Sequence, residues 1–294
     1  MKSIHDRKHK VAVSKFGTPL PPGASVLETV EKMPGFLAAD ELRALAGAIL
    51  AARKAGASVV FAIGGHVVKT GCSLYIIDLL DRGIVTRLAM NGAAAIHDAE
   101  IALFGETSED VDQTLRKGEF GMVTETMEFF DRAVAHSTLT CGLGNALAEE
   151  IHRGTLPYPE YSLIHCFANS TRAPTVHVAI GADTVHMSPG LDAGRLGVLL
   201  IEDFEWVCDT VASLAAGGVW VNIGCATLLP EVFMKAVSVA IHKGADLDGM
   251  TTADLDMIQH YRPTHNVVRR PPGRGIQITG HHEIMLPILH QLLI

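Results

Sequence analysis

The chain is short of charge and cysteine, and it has no surplus of basic residues. Only 19% of its 294 residues are charged, against 48% hydrophobic, and the mean hydropathy is +0.26. Such a composition argues against intrinsic disorder and leaves enough apolar material for a full core. The 24 Lys and Arg are outnumbered by 32 Asp and Glu, giving a net charge of −8 and a pI near 6.0. That balance argues against a nucleic-acid surface and mildly favours cationic ligands.

The five cysteines, Cys72, Cys141, Cys166, Cys208 and Cys225, are odd in number and form no CxxC pair. A disulfide framework and a thiolate zinc site are therefore not expected, and a reducing cytoplasm fits better. The first 17 residues are basic but lack the apolar run of a signal peptide. Residues 210–230 (TVASLAAGGVWVNIGCATLLP) carry no charge and are long enough for a bilayer, yet Gly217-Gly218, Asn222 and Pro230 interrupt them. They read as a helix end, a turn, a buried strand and a loop, with no membrane span.

What the chain does have is a recurring unit: a short apolar run, a small-residue loop, then an amphipathic stretch. Residues 58–63 (SVVFAI), 87–90, 175–180 (TVHVAI) and 219–223 each start one, and 245–250 is a further strand candidate. Helical patterns cover 72–82, the stretch ending near Gly105, about 230–243 with Gly244 as its stop, and 281–294. Alternation of this kind predicts right-handed βαβ crossovers. The expected fold is α/β, a Rossmann-like open parallel sheet with helices on both faces. One domain is expected over 1–294, with a short N-terminal segment 1–35 and a helical insertion 106–155. The Pro/Arg-rich stretch 262–275 reads as a long loop.

In such a sheet ligands bind beyond the carboxyl ends of the strands, where the strand order reverses. The loops expected there start at Gly64, Asn91, Gly181, Gly224 and Met250. Glycine lets backbone amides approach a phosphate, and it equally serves a plain tight turn. Gly65-His66-Val67-Val68-Lys69-Thr70 resembles a Walker A loop but has Val68 where that motif needs glycine, and Gly142-Leu143-Gly144 lacks the third glycine of a dinucleotide fingerprint. The 15 histidines include His97-Asp98-Ala99-Glu100, Asp183-Thr184-Val185-His186 and His281-His282-Glu283, none with a spacing that fixes two metal ligands on one helix face. No metal is expected. His97 and Asp98 read as polar groups lining a pocket, suited to a base and to holding an amine.

At these loops the chain resembles the deoxyhypusine synthase family. Residues 57–98 lie without gaps on the family's first two βα units. Gly64 to Gly71 takes the place of the Thr-Ser-Asn…Ser-Ser-Gly loop that contacts NAD, and 90–98 (MNGAAAIHD) that of Thr-Thr-Ala-Gly-Gly-Val-Glu-Glu-Asp. Gly118-Glu119-Phe120-Gly121 resembles its Arg-Ile-Gly-Asn, and the run from Arg172 to Asp183 its Ile-Pro-Val-Phe strand with the following Thr-Asp-Gly. Residues 198–209 resemble its Asp-Ile-Val-Glu-Asp helix, Gly224-Cys225-Ala226 its triple glycine, and Lys243 to Asp246 its Asn-Gly-Ala-Asp. Thr252-Ala253 matches a Thr-Ala near the adenosine, and 280–289 the terminal helix. In order, these cover about four-fifths of the chain.

The resemblance implies NAD as cofactor, held by Gly64, Gly65, His66, Lys69, Thr70, Gly71, Asn91, Gly92, Ala93, Asp183, Gly224, Cys225 and Thr252. It implies a small-molecule substrate of polyamine type, transferase chemistry, and a homotetramer with sites between subunits. His97, Asp98 and His186 are the candidates for catalysis. The family's imine-forming lysine, in a Ser-Trp-Gly-Lys segment, has no counterpart, since no lysine follows Lys243. Arginine cannot replace it, being always protonated. The family's polyamine-binding Glu-Glu is Ile96-His97 here. Aminobutyl transfer to a protein lysine is accordingly not expected. The expectation is NAD-dependent chemistry on a small amine, with a non-catalytic dinucleotide- or polyamine-binding relative, or a metal-dependent hydrolase, as the alternatives.

Overall fold

The structure, a computed structural model, describes residues 3–167 and 173–294. Arg172, where the likeness to the family's third strand begins, lies outside them. Six parallel strands form one sheet in the order β3-β2-β1-β4-β5-β6. They are β1 (Val59–Ile63), β2 (Arg87–Asn91), β3 (Thr175–His177), β4 (Val219–Ile223), β5 (Thr251–Asp256) and β6 (Arg274–Thr279). The order reverses between β1 and β4, so their carboxyl ends form the switch point of the sheet.

The sheet is α/β and Rossmann-like because β1 (VVFAI) and β4 (VWVNI) are buried at every position, as a parallel strand covered on both faces must be. Val59, Phe61 and Ile63 of β1 face one core and Val60 and Ala62 the other.

The helices are α1 (Val26–Glu31), α2 (Leu37–Ala55), α3 (Gly65–Lys69), α4 (Ser73–Asp81), α5 (Gly92–Phe104), α6 (Val111–Lys117), α7 (Thr124–His136), α8 (Leu143–Arg153), α9 (Ala193–Ala212), α10 (Leu228–His242), α11 (Tyr261–Pro263) and α12 (His282–Leu293). The first core packs α2, α4, α5, α7, α8 and α12 against the sheet, and the second packs α10 and the end of α9. Helices α6, α7 and α8 fall in the expected insertion.

Two buried carboxylates tie connecting segments to this frame. Asp98 on α5 accepts from Ser162 Oγ (2.7 Å), Leu163 N (2.7 Å) and Ile164 N (3.0 Å). Asp203 on α9 accepts from Gly144 N (3.0 Å) and Val176 N (2.8 Å), joining α8 and β3 to α9.

Residues 210–230 resolve as anticipated: the end of α9, a 3-10 turn over Ser213–Ala216, β4, and the start of α10. Among the described residues no helix is long and apolar enough to cross a membrane.

Three expectations need correction. Residues 245–250 form a turn closed by Asp248 N donating to Asp246 Oδ1 (3.0 Å), and the strand begins only at Thr251. Residues 262–275 are not a structureless loop. They run from α11 into one π-helical stretch, Thr264–Arg269, and then into β6, with Asn266 turned inward so that its Nδ2 donates to Glu231 Oε1 (2.7 Å). Finally, β3 stops at His177, because Ala179 N is captured by Asp183 Oδ2 (2.6 Å) and leaves the ladder.

Candidate functional site

The carboxyl edge is built from turns that touch. Gly64 N continues the ladder by donating to Ile223 O (2.9 Å), and Gly224 N donates to Leu255 O (3.0 Å). A Cβ on Gly64 would lie 2.0 Å from Gly224 O, so only glycine lets β1 and β4 end side by side here. Gly224 has φ +64, and a Cβ there would strike the His282 ring at 2.7 Å.

Asn91 caps α5 by accepting from Ala94 N (2.9 Å), and its Nδ2 points at Cys225 Sγ (3.8 Å), linking the end of β2 to that of β4. Cys225 Sγ also accepts from Leu229 N (3.4 Å), and burial pushes the thiol pKa up, so it is a packed thiol and not a thiolate nucleophile. Gly92 packs against the Asp183 carboxyl group. Burial raises the Asp183 pKa, against the bond from Ala179 N and the charge of His186.

Beside this edge, between α5 and the insertion, lies a cleft of about 910 Å³. That is ample for a small-molecule ligand. Lys69 and Gly71 form one wall, Ala93 and His97 on α5 another, and Asp183 closes the end nearest β3.

The polar core of the cleft is a relay of three side chains. Thr107 Oγ1 donates to Glu100 Oε2, and His97 Nδ1 lies 2.7 Å from the same hydroxyl. A hydroxyl has one hydrogen, already given to Glu100, so His97 must supply the second bond from Nδ1–H. Neutral His97 therefore carries its lone pair on Nε2, which has no partner among the described residues. Thr126 Oγ1 donates to Glu100 Oε1 (3.0 Å). Burial raises the Glu100 pKa, and the nearby His97 with the bonds from Thr107 and Thr126 outweighs it, leaving the carboxyl below its ordinary range and ionised.

The residues expected in the site fall into four groups. Gly64, Gly65, His66, Asn91, Gly92, Gly224 and Cys225 meet at the carboxyl edge. Lys69, Gly71, Ala93, Asp183 and His97 line the cleft. Three sit beside it with their polar atoms committed or enclosed. Thr70 Oγ1 donates to His66 O (3.0 Å) and so closes α3 on itself. His186 Nδ1 lies 3.1 Å from Asp183 O, while its Nε2 is buried with no partner among the described residues. Asp98 is wholly buried on the other side of α5, with both oxygens taken by the segment after Ser162.

Thr252 forms the fourth group alone. It is the second residue of β5, opposite Trp220, and its hydroxyl donates to Val267 O (2.6 Å). Four residues of strand, about 13 Å, separate it from the carboxyl end.

Glu100, Thr107 and His282 are the residues that sequence reasoning did not place in the site. His97 and Glu100 had a readable signal, the i, i+3 spacing that puts them on one helix face. Thr107 lies beyond Gly105, which ends α5, so no helical period links it to His97.

Gly65 serves packing: a Cβ on it would touch Ala93 and His97 at 3.0 and 3.1 Å, so its missing side chain lets α3 lie against α5. A dinucleotide makes two demands that these residues meet. A cation must stand near the phosphates, and Lys69 is exposed on the cleft wall. The rest of the molecule needs adjoining volume, which the cleft provides. Among the described residues, no group of three or more His, Cys, Asp or Glu is disposed to hold a metal ion.

No family model matches the chain, and no curated protein matches it in sequence. Solved structures do share its fold. AgrE, solved as a ternary complex with ornithine and NAD+, superposes with a TM-score of 0.57 at 17% identity over 86% of this chain. The chain spans about a third of AgrE, 32% of its length. A conserved putative LOR/SDH protein from Methanococcus maripaludis S2 gives a TM-score of 0.53 at 14% identity, over 86% of this chain and 68% of that one. A putative deoxyhypusine synthase from Entamoeba histolytica covers 94% of this chain and 95% of its own at 12% identity, with a TM-score of 0.48. At these identities the likeness to AgrE and the LOR/SDH protein establishes the α/β fold alone.

Proposed function

We propose that the chain binds a nicotinamide dinucleotide, NAD, at the carboxyl edge and a small amine-bearing molecule in the adjoining cleft, and that it carries out NAD-dependent oxidation or transfer chemistry on that amine. The observation that carries this reading is the His97–Thr107–Glu100 relay, set in a cleft directly beside the β1–β4 switch point.

The walls of the cleft suit a cation. Glu100, Glu106, Glu109 and Asp183 line it together with Lys69 and His97, so its acidic groups outnumber its basic ones. AgrE, whose fold this chain shares, was solved with ornithine and NAD+, a pairing of the same two ligand classes.

A bound oxidised nicotinamide supplies a hydride acceptor for the carbon bearing the nitrogen. The chain's own part begins with the ammonium of the substrate, which Glu100 and Asp183 attract and orient. His97 Nε2 takes one proton from that ammonium, leaving its lone pair free on nitrogen. His97 then becomes an imidazolium, whose Nδ1–H stays on Thr107, with the Glu100 carboxylate 3.7 Å away to stabilise the charge. The apolar residues of the cleft, Ile96 and Phe104 among them, hold water away from this exchange. A homotetramer, the assembly of the family it resembles, is part of the same proposal.

The absence of any lysine after Lys243 favours a second reading, ligand binding without turnover. Titration calorimetry with NAD+, spermidine and ornithine, followed by absorbance at the reduced-nicotinamide band, separates the two. Binding with growth of that band is the expected result. Binding without it across the amines establishes the second reading, binding of an amine without NAD+ overturns the first, and no binding of any of the three ligands overturns both.

A further inference from the structure

A second pair of histidines stands at the switch point, outside the cleft relay. His66 Nδ1 and His282 Nδ1 are 2.9 Å apart, with ring centroids 5.1 Å apart and planes inclined at 61°. His282, the first residue of α12, is 1% exposed. Its ring sits against Gly224, whose missing side chain makes the room for it. His66 lies in α3 directly after the glycine turn of β1 and is partly open to solvent.

The bonds fix where the hydrogens are. His282 Nε2 is 3.3 Å from Leu255 O, and a carbonyl only accepts, so Nε2 carries hydrogen. Burial lowers the His282 pKa, against the opposing pull of Leu255 O and Asp256, so the ring is neutral and its Nδ1 is bare. A bare nitrogen 2.9 Å from His66 Nδ1 needs a donor, and His66 must supply it. His66 is thereby held as the Nδ1–H form, with the lone pair on Nε2. That nitrogen has no partner among the described residues. Lys69, three residues further along α3, lines the cleft, while His66 stands beside that lining, against α12 at the β1–β4 edge.

We infer that His66 is a second proton acceptor of this ligand site and that His282 is the positioning residue that fixes its tautomer. The inference rests on the dinucleotide and amine reading and adds a residue to it. Its step is a single proton transfer. An N–H or O–H bond of the ligand breaks, its electrons stay on nitrogen or oxygen, and the proton goes to His66 Nε2. His66 Nδ1–H remains on His282 throughout. With His97, the site then has two acceptors, one in the cleft and one at the β1–β4 edge. In the proposed oxidation the ammonium would give one proton before hydride leaves its carbon for the oxidised dinucleotide, and water attacking the resulting carbon–nitrogen double bond would give the second, one to each acceptor.

The test is heteronuclear NMR of ring-nitrogen-labelled histidine in the full chain, above neutral pH, with His66→Gln used to assign the His66 signals. The expected result is a protonated Nδ1 and an unprotonated Nε2 on His66. His282→Gln keeps this form, because its amide can donate to Leu255 O and accept from His66. His282→Leu loses it, and His66 moves to the commoner Nε2–H form.

In the amine oxidation assay, His66→Gln and His282→Leu lose about a hundredfold in turnover, and His282→Gln recovers most of what His282→Leu loses. Turnover is compared at saturating NAD+, so that any loss of cofactor affinity in a variant is read apart from the loss of the proton acceptor. An Nε2–H form of His66 in the unmodified protein overturns the inference, as does an unchanged tautomer in His282→Leu or full turnover in His66→Gln. If the unmodified protein binds no NAD+, the dinucleotide reading fails and takes the role in turnover with it, while the tautomer still decides the His66–His282 arrangement.

Discussion

Asp98 and Glu100 lie two residues apart on α5, about 200° around the helix, and they serve opposite sides of it. Asp98 belongs with Asp203 to the packed interior, where each carboxylate holds backbone N–H groups of segments far away in sequence. Glu100 belongs to the cleft, where its partners are two threonine hydroxyls and, through one of them, a histidine. Backbone amides cannot leave their carboxylate without unfolding the segment that carries them. A hydroxyl can rotate and return. One region therefore uses carboxylates to hold the chain in place, and the other keeps a carboxylate to handle protons.

The largest test removes the interior carboxylates. Asp98→Ala strands Leu163 N, Ile164 N and the Ser162 hydroxyl in the core, and should cost about 3–5 kcal/mol in urea unfolding, with Asp203→Ala comparable. Glu100→Gln should cost less than about 1 kcal/mol, since its partners are side chains beside the open cleft. Equal costs for Asp98→Ala and Glu100→Gln would break the distinction.

Asp254 sharpens the same contrast through pH. It is buried, and Asn222 Nδ2 donates to its Oδ1 (2.7 Å), but its Oδ2 and Asn222 Oδ1 have no partner among the described residues. Burial, with the charge of Asp256, raises its pKa from 3.8 to about 7. Between those values the folded protein binds a proton that the unfolded chain has released, so stability falls as pH rises across the window. The loss is at most about 4 kcal/mol. His177, lowered to about 4 by burial, works the other way, adding stability as pH rises from about 4 to 6.5. Asp254→Asn should flatten the decline and leave a protein more stable than the original at about pH 8. Thermal melts at about pH 5 and pH 8 check it. Burial also raises Asp203 to about 7 and Asp98 to about 6, which adds declines of the same sign, so part of the slope remains in the variant and only an unchanged slope rules Asp254 out as a source.

In the cleft the effect should appear in turnover and not in stability. His97→Gln removes the acceptor Nε2 and should slow amine oxidation about a hundredfold while the melting temperature stays within a few degrees. Thr107→Val breaks the link to Glu100, freeing His97 to take the other tautomer, and should give a smaller loss with a changed pH profile. Loss of stability in His97→Gln without loss of turnover would move His97 to the interior class.

Much of this arrangement was legible in the sequence, and the exceptions have specific causes. The unbroken apolar runs of β1 and β4 and the glycines after them pointed to the carboxyl edge. The inward turn of Asp98 is not legible because α5 (GAAAIHDAEIALF) is apolar nearly all round, which leaves no polar face to show its outward side. Strand β5 (TTADLD) hides behind two aspartates, and β6 behind the Pro/Arg-rich segment before it. The partner of His66 is 216 residues away, where only tertiary structure brings α12 back to the sheet. Local pattern thus found the turns, whereas long-range pairs had to be seen.

Lys69 supplies the smallest and most discriminating test. Its ammonium stands on a wall whose other ionised groups are mainly acidic, so it works against a bound amine and with a bound phosphate. If it contacts the pyrophosphate of a dinucleotide, Lys69→Ala loses a charge-assisted bond and weakens NAD+ binding about tenfold. The same substitution removes a positive charge from the amine's surroundings, so spermidine or ornithine should bind as well as before or slightly better. The two ligands then respond in opposite directions to one change, which no general loosening of the cleft can imitate. An unchanged affinity for NAD+ rules out the phosphate contact, and a parallel loss for both ligands means that Lys69 shapes the cleft and does not select what enters it.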